Sequence, residues 1–157
     1  MKPKVYLERS IVSYLTAKPS NDIRAAANQN TTFEWWETRR PLFDLFISEF
    51  VIAEATLDHP EAASRRMAAI EGIPKLEVTE EVRALCKALI TEGPIPSKAE
   101  LDAYHSAVAA VHGMEYLLTW NCTHIANAVM RPKVESVCRE HGYEPPIICT
   151  PQELMEG

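Results

Sequence analysis

The chain reads as an α/β protein built on a central parallel sheet of about five strands. Three observations carry that expectation. Short apolar runs of strand length alternate with longer stretches of helical period from one end of the chain to the other. No internal repeat, low-complexity tract or interdomain linker interrupts them, so residues 1–157 are expected to form one domain with a full core. Hydrophobic residues make up 46% and charged residues 24%, an ordinary globular balance.

Residues 4–7 are expected as the first strand and 10–15 as a short helix after it. The turn Ala17-Lys18-Pro19-Ser20-Asn21 leads into a helix over 22–38, with Ser20 or Asn21 as its cap. Pro41 breaks the chain, and 43–47 form the second strand. Ser48 is placed to cap the next helix, which contains Glu54. A helix from Pro60 runs to residue 70 and is ended by Gly72 and Pro74. Residues 76–78 read as a brief strand, and Thr79 caps a helix that closes at Gly93-Pro94. Ser97-Lys98-Ala99-Glu100 reads as a capping box opening the helix that carries Asp102 and stops at Gly113. Residues 116–119 are the fourth strand, 133–141 a helix ending at Gly142, and 147–149 the fifth strand. Thr150-Pro151-Gln152-Glu153 is a second capping box, with proline at the first helical position.

Composition excludes several classes. No apolar run is long enough to cross a bilayer. Met1-Lys2-Pro3-Lys4 leads straight into a strand-like run without the apolar core of a secretory signal, so a cytoplasmic protein is expected. Cys86, Cys122, Cys138 and Cys149 form no C-x-x-C pair. They read as free, mostly buried thiols, and neither a zinc ribbon nor a thioredoxin motif is supported. A net charge of −6 argues against a protein that coats nucleic acid. It leaves room for an enzyme that meets nucleic acid through a local basic rim, for which Arg9, Lys18, Arg24, Arg39, Arg40 and Lys98 are candidates.

Three acids stand where such a fold would gather a metal site. Glu8 ends the run Val5-Tyr6-Leu7, Glu54 lies among apolar residues just after the second strand, and Asp102 opens a small-residue helix ahead of the fourth. Ligands of open α/β sheets bind outside the carboxyl ends of the strands. Two like charges about 4 Å apart repel by about 4 kcal/mol at an effective dielectric near 20, so clustered carboxylates call for a hard divalent cation. Ser10, two residues after Glu8, offers a hydroxyl to a metal-bound water or a phosphate oxygen. Asp102 and His105 share a face at i, i+3, beside an apolar stripe of Leu101, Tyr104, Val108 and Val111. Thr119 and Asn121 offer a hydroxyl and an amide oxygen at the end of the fourth strand, both suited to magnesium or manganese. His124 either contacts phosphate or caps the following helix. The histidines do not form a zinc set, since no H-E-x-x-H is present.

Taken in order, Val5-Tyr6-Leu7-Glu8-x-Ser10, Ser48 through Glu54, Asp102 through His105 and Thr119-x-Asn121 resemble the PIN domain, and within it the VapC-like toxins of bacterial toxin–antitoxin pairs. The resemblance covers nearly the whole chain. It implies a three-layer α/β/α domain, usually dimeric, acting as a magnesium- or manganese-dependent ribonuclease on RNA. The family's acids match Glu8, Glu54 and Asp102 as metal ligands; its Thr-x-Asp motif matches Thr119 and Asn121, and its serine matches Ser10. It also implies an antitoxin partner and a homodimer, whose face is sought on the long helix carrying Trp35-Trp36. The chain departs from the pattern at Glu8, where aspartate is usual, at Arg9, where threonine is common, and at Asn121, where a carboxylate is usual. These departures motivate an alternative, a catalytically weak or inactive PIN-like module that binds RNA or a partner protein. A response-regulator receiver would want a lysine after the last strand, where Thr150-Pro151 stands. A haloacid-type phosphatase would want Asp-x-Asp at Glu8-Arg9-Ser10.

Overall fold

The computed structural model describes residues 1–155. Its strands are β1 (Lys4–Leu7), β2 (Asp44–Ser48), β3 (Lys75–Leu76), β4 (Tyr116–Leu118) and β5 (Ile147–Cys149). All pair in parallel, in the order β3-β2-β1-β4-β5. Seven α-helices connect and cover them: α1 (Arg9–Thr16), α2 (Ile23–Thr38), α3 (Glu49–Ala55), α4 (Pro60–Ile70), α5 (Glu80–Thr91), α6 (Glu100–Val111) and α7 (Arg131–Glu140). Helix α1 packs against α2, α3 and α4, while α5 packs against α6 and α7, so the sheet lies between two helical layers. This is the expected three-layer α/β/α arrangement.

The central strand β1 is continuous apolar sequence because it is covered on both faces; Val5, Tyr6 and Leu7 are fully buried. From β1 the chain winds outward to β2 and β3, then returns to place β4 on the other side of β1. The winding direction therefore reverses between β1 and β4, where Leu7 lies opposite Leu118. Such a switch point opens a crevice at the carboxyl ends of its strands. Glu8 and Thr119 are the next residues on each.

Local signals account for several element ends. Asp22 itself, not Ser20 or Asn21, caps α2 by accepting from Ala25 N at 2.9 Å, while Ser20 Oγ accepts from Asp22 N. Thr79 caps α5 as expected, accepting from Val82 N at 3.3 Å. Gly113 ends α6 at φ 70°, a left-handed conformation open to glycine, and lets Met114 N reach back to Ala109 O. Arg66 of α4, nearly buried, donates to the carbonyls of Ala55 and Leu57 and so closes the carboxyl end of α3, the helix that carries Glu54. Trp35 is buried and stacks on Phe43, whereas Trp36 is half-buried with the Arg40 guanidinium over its ring at 4.0 Å.

Other expectations are corrected. Ser48 occupies the N-cap position of α3 but makes no cap hydrogen bond; its hydroxyl is engaged by Tyr6. Ser97 likewise makes no capping bond, and residues Ser97–Ala99 form a 3-10 turn before α6 begins. Of the expected apolar stripe, Val108 is fully buried and Tyr104 and Val111 pack partly buried against the core, while Leu101 is 38% exposed and Ala103, Ala107 and Ala110 are buried beside them. The alanines let α6 lie close against α5, and Val108 and His105 of the same helix are buried with them. After β5, Glu153 reaches back to Thr150 N at 3.0 Å, yet the residues up to Met155 form turns and not a helix.

Candidate active site

Glu8 leaves β1 in extended geometry and stands at the N-cap of α1, but its side chain does not cap that helix. Only 4% of it is exposed. Ser10 Oγ and Thr119 Oγ1 both donate to Glu8 Oε1, at 2.5 and 2.6 Å. Each hydroxyl is oriented by a backbone amide: Ser10 Oγ accepts from Trp120 N at 2.7 Å, and Thr119 Oγ1 from Asn121 N at 2.9 Å. The hydroxyl hydrogens are thus turned toward the Glu8 carboxyl oxygen. Main-chain bonds from Glu8 N to Leu118 O and from Thr119 N to Cys149 O tie the same residues to the sheet.

Asp102 sits in the first turn of α6, where a helix N-terminus favours negative charge. Asn121 Nδ2 donates to its Oδ1 at 3.0 Å, and His124 Nδ1 lies 3.0 Å from its Oδ2. With Nδ1 directed at the carboxylate, His124 turns Nε2 away from Asp102. Asn121 Oδ1 is occupied by the backbone N–H groups of Thr123 and His124, each at 3.2 Å. In this arrangement both oxygens expected as cation donors, Thr119 Oγ1 and Asn121 Oδ1, serve protein partners. Glu8, Ser10, Thr119, Asn121, Asp102 and His124 form one connected polar network across the ends of β1 and β4.

Glu54 belongs to a neighbouring network. Its Oε1 lies 2.8 Å from His105 Nε2, and its Oε2 lies 3.5 Å from Arg9 Nε. On the other side of the ring, His105 Nδ1 is 2.6 Å from Tyr6 Oη, which in turn is 2.7 Å from Ser48 Oγ. His105 and Ser48 are fully buried. Burial holds the Tyr6 phenol well above its ordinary pKa; the Ser48 hydrogen bond opposes this, and the charges of Glu8 and Glu54 add to it. Tyr6 therefore keeps its proton at neutral pH.

The three expected acids are therefore distributed over two adjoining networks, linked by the Glu8-Arg9 backbone and by the turn of α6 from Asp102 to His105. Among the described residues, no three His, Cys, Asp or Glu side chains form a single group able to hold a metal ion. Sequence reasoning missed Tyr6, Ser48 and the double engagement of His105. A tyrosine inside an otherwise apolar central strand was the available signal, since a buried phenol needs a hydrogen-bond partner. Of the basic rim, Arg9 reaches the acids. Arg40 instead lines a cavity with Lys2, Asp44 and Glu71 at the start of β2, the opposite end of the strands.

Neither a protein-family model nor any curated protein matches the chain. Solved structures do. One is VapBC2 from Rickettsia felis, bound to a DNA fragment from its promoter, with a TM-score of 0.59 at 13% identity, covering 94% of this chain and 98% of that one. Another is VapC20 from Mycobacterium tuberculosis, a sarcin–ricin loop cleaving toxin, with a TM-score of 0.56 at 17% identity, covering 76% of this chain and 91% of that one.

Proposed function

We propose that this chain, whose fold is that of the VapC-type PIN toxins, is a divalent-metal-dependent endoribonuclease that hydrolyses phosphodiester bonds in RNA, the toxin of a toxin–antitoxin pair. The observation that carries this reading is the acidic network at the β1/β4 switch point, where Thr119 ties Glu8 to Asn121 and Asn121 in turn holds Asp102.

The donor chemistry fits magnesium or manganese. Glu8, Glu54 and Asp102 are hard oxygen donors. Glu8 is nearly buried, and among the described residues hydroxyls meet its charge and no cation pairs with it; a buried carboxylate so placed is costly. The three carboxylates do not form one coordination group as they stand; Glu8, Glu54 and Asp102 would hold the ion by drawing together around it. When bound, it supplies Lewis-acid stabilisation of charge and a water acidified toward hydroxide.

The chain's own residues do the remainder. Ser10 and Thr119 fix Glu8 through Oε1 and leave Oε2 free of hydroxyl donors. Asn121 neutralises part of Asp102 with an amide hydrogen and keeps its carboxylate in place. His124 presents Nε2 toward a phosphate oxygen, while Arg9, half-exposed, offers a cation to the RNA backbone. The acidic ends of the strands repel RNA until a cation is present, which makes metal and substrate binding interdependent.

The whole of 1–157 is read as one domain, acting in the cytoplasm as a homodimer with an antitoxin partner. No helix among the described residues is long and apolar enough to cross a membrane. The test is cleavage of RNA by purified protein with magnesium or manganese, its loss in EDTA, and its loss in Asp102→Asn. Cleavage unchanged in that variant rejects the assignment of Asp102.

The second reading is a PIN-like module that binds RNA or protein without turnover. The compensation of Glu54 by His105 and Arg9 within the protein favours it. Absence of manganese binding at millimolar concentration in calorimetry would select it.

A further inference from the structure

Resting on the metal-dependent reading above, we propose that His105 and Tyr6 are positioning residues, which with Ser48 form a buried hydrogen-bonded chain that fixes Glu54 and leaves its Oε2 to the cation. The chain runs Ser48 Oγ to Tyr6 Oη at 2.7 Å, Tyr6 Oη to His105 Nδ1 at 2.6 Å, and His105 Nε2 to Glu54 Oε1 at 2.8 Å.

Its direction follows from the acceptor at one end. Glu54 as a carboxylate only accepts, so His105 carries a hydrogen on Nε2 and donates it to Oε1. In the neutral imidazole Nδ1 is then bare and accepts from the Tyr6 hydroxyl, and the Tyr6 oxygen accepts from Ser48. Every group in the chain is used once in a role it can fill. Ser48, at the N-cap position of α3, is turned toward Tyr6 and makes no cap bond.

The supports are rigid. Tyr6 lies on the central strand β1, Ser48 ends β2 beside it, and His105 is on α6. The imidazole has no exposed surface and sits between the rings of Tyr6 and Phe50, at centroid distances of 5.8 and 6.3 Å. Glu54, by contrast, has a long side chain on the seven-residue helix α3. Two central strands and α6 therefore set the orientation of a carboxylate carried by a short helix. Since Oε1 is taken by His105, Oε2 is the oxygen left for a cation, and its present neighbour is the exchangeable, half-exposed Arg9.

Metal-ligating carboxylates depend on such partners, whose loss lowers metal affinity by about 10–100-fold. Full-length wild type, His105→Ala, His105→Gln and Tyr6→Phe are to be titrated with manganese by calorimetry, with thermal melting in EDTA to follow the fold. His105→Ala is expected to bind manganese at least about tenfold more weakly. His105→Gln places an amide N–H near the position of Nε2 and is expected to restore most of that loss. Tyr6→Phe keeps the ring, removes the brace, and is expected to weaken binding several-fold. In the metal-free wild type, imidazole nitrogen chemical shifts are expected to show His105 protonated on Nε2 and bare on Nδ1.

A folded His105→Ala with wild-type manganese affinity overturns the proposal while leaving the nuclease reading intact. Equal impairment of the alanine and glutamine variants overturns it too, marking a packing role. Should His105→Ala fail to fold, wild-type affinity in Tyr6→Phe has the same force, as does the opposite tautomer. A wild type that takes up no manganese overturns the metal-dependent function and this proposal together.

Discussion

Asn121 donates its amide hydrogen to Asp102 Oδ1 across 3.0 Å, while its own Oδ1 accepts from Thr123 N and His124 N. Turning the amide over would set an oxygen against the carboxylate and an NH2 against two backbone donors. Position 121 is therefore built around a donor. Asn121→Asp replaces it with a second carboxylate, and like charges about 4 Å apart repel by about 1–4 kcal/mol between bulk water and an effective dielectric near 20. In EDTA the variant is expected to melt lower, by about 2–4 °C per kcal/mol at this chain length. Manganese should raise its melting temperature more than that of the wild type. Scanning fluorimetry checks this, and an equal response in the two proteins would place the cation away from this pair.

Glu8→Gln keeps the shape of the side chain and an oxygen for the Ser10 and Thr119 hydroxyls, but removes the charge. Because Glu8 is nearly buried, stability in EDTA is expected to hold or rise slightly. Catalysis is expected to fall by about 100-fold or more, since charge stabilisation by a bound ion contributes several kcal/mol. Single-turnover cleavage of RNA with manganese, read beside a melting curve, separates the two effects. A fully active variant would remove Glu8 from the ligand set.

What the sequence made legible was whatever depends on neighbours in the chain. Glu8 and Thr119 stand at strand ends because apolar runs stop there, and Thr79 and Gly113 bound helices by local hydrogen bonding. What it concealed depends on partners far away. Ser48 satisfies the local rule for an N-cap, yet Tyr6, 42 positions earlier, claims its hydroxyl. His105 looked like a companion of Asp102 on one helical face, but its ring bonds lie 51 and 99 positions away, at Glu54 and Tyr6. Leu101 is apolar and still 38% exposed, while the polar His105 of the next turn is buried. Helical period identifies faces; the depth available to each is a property of the packed neighbours.

Arg9 Nε lies 3.5 Å from Glu54 Oε2 with about half of the arginine side chain exposed. Pairs of this kind contribute about 0–1 kcal/mol, so Arg9→Ala is expected to leave the melting temperature nearly unchanged. Its effect should appear in binding, and with opposite signs. Arginine and a cation compete for Oε2, so manganese affinity is expected to rise by up to about fivefold, the equivalent of about 1 kcal/mol. RNA affinity is expected to fall, with the salt dependence shallower by about 0.7 for one lost contact to a single strand. Calorimetry with manganese and RNA binding across a salt series measure both. Weaker manganese binding in the variant would show that Arg9 supports the cation instead of competing with it.

Burial pushes the Cys86 and Cys149 thiols up to about 12 and Cys138 up to about 11, while Cys122 is exposed. At pH 8 the native protein is therefore expected to react rapidly with one equivalent of a thiol reagent, and with four after unfolding. The same shifts set an alkaline limit on stability. A thiol whose folded pKa lies above the unfolded value of about 8.5 keeps its proton in the native state after the unfolded chain has lost it. The stabilisation is complete below about pH 8.5 and is lost as pH rises toward the folded values. Tyr6 acts in the same sense, starting from about 10. Urea unfolding across this range should give a flat stability up to about pH 8 and a decline above it, with a slope of about 1.4 kcal/mol per pH unit for each proton retained. Cys86→Ala should flatten that slope by one proton. An unchanged slope there, or a second fast-reacting thiol in the native protein, would mean that Cys86 is open to water.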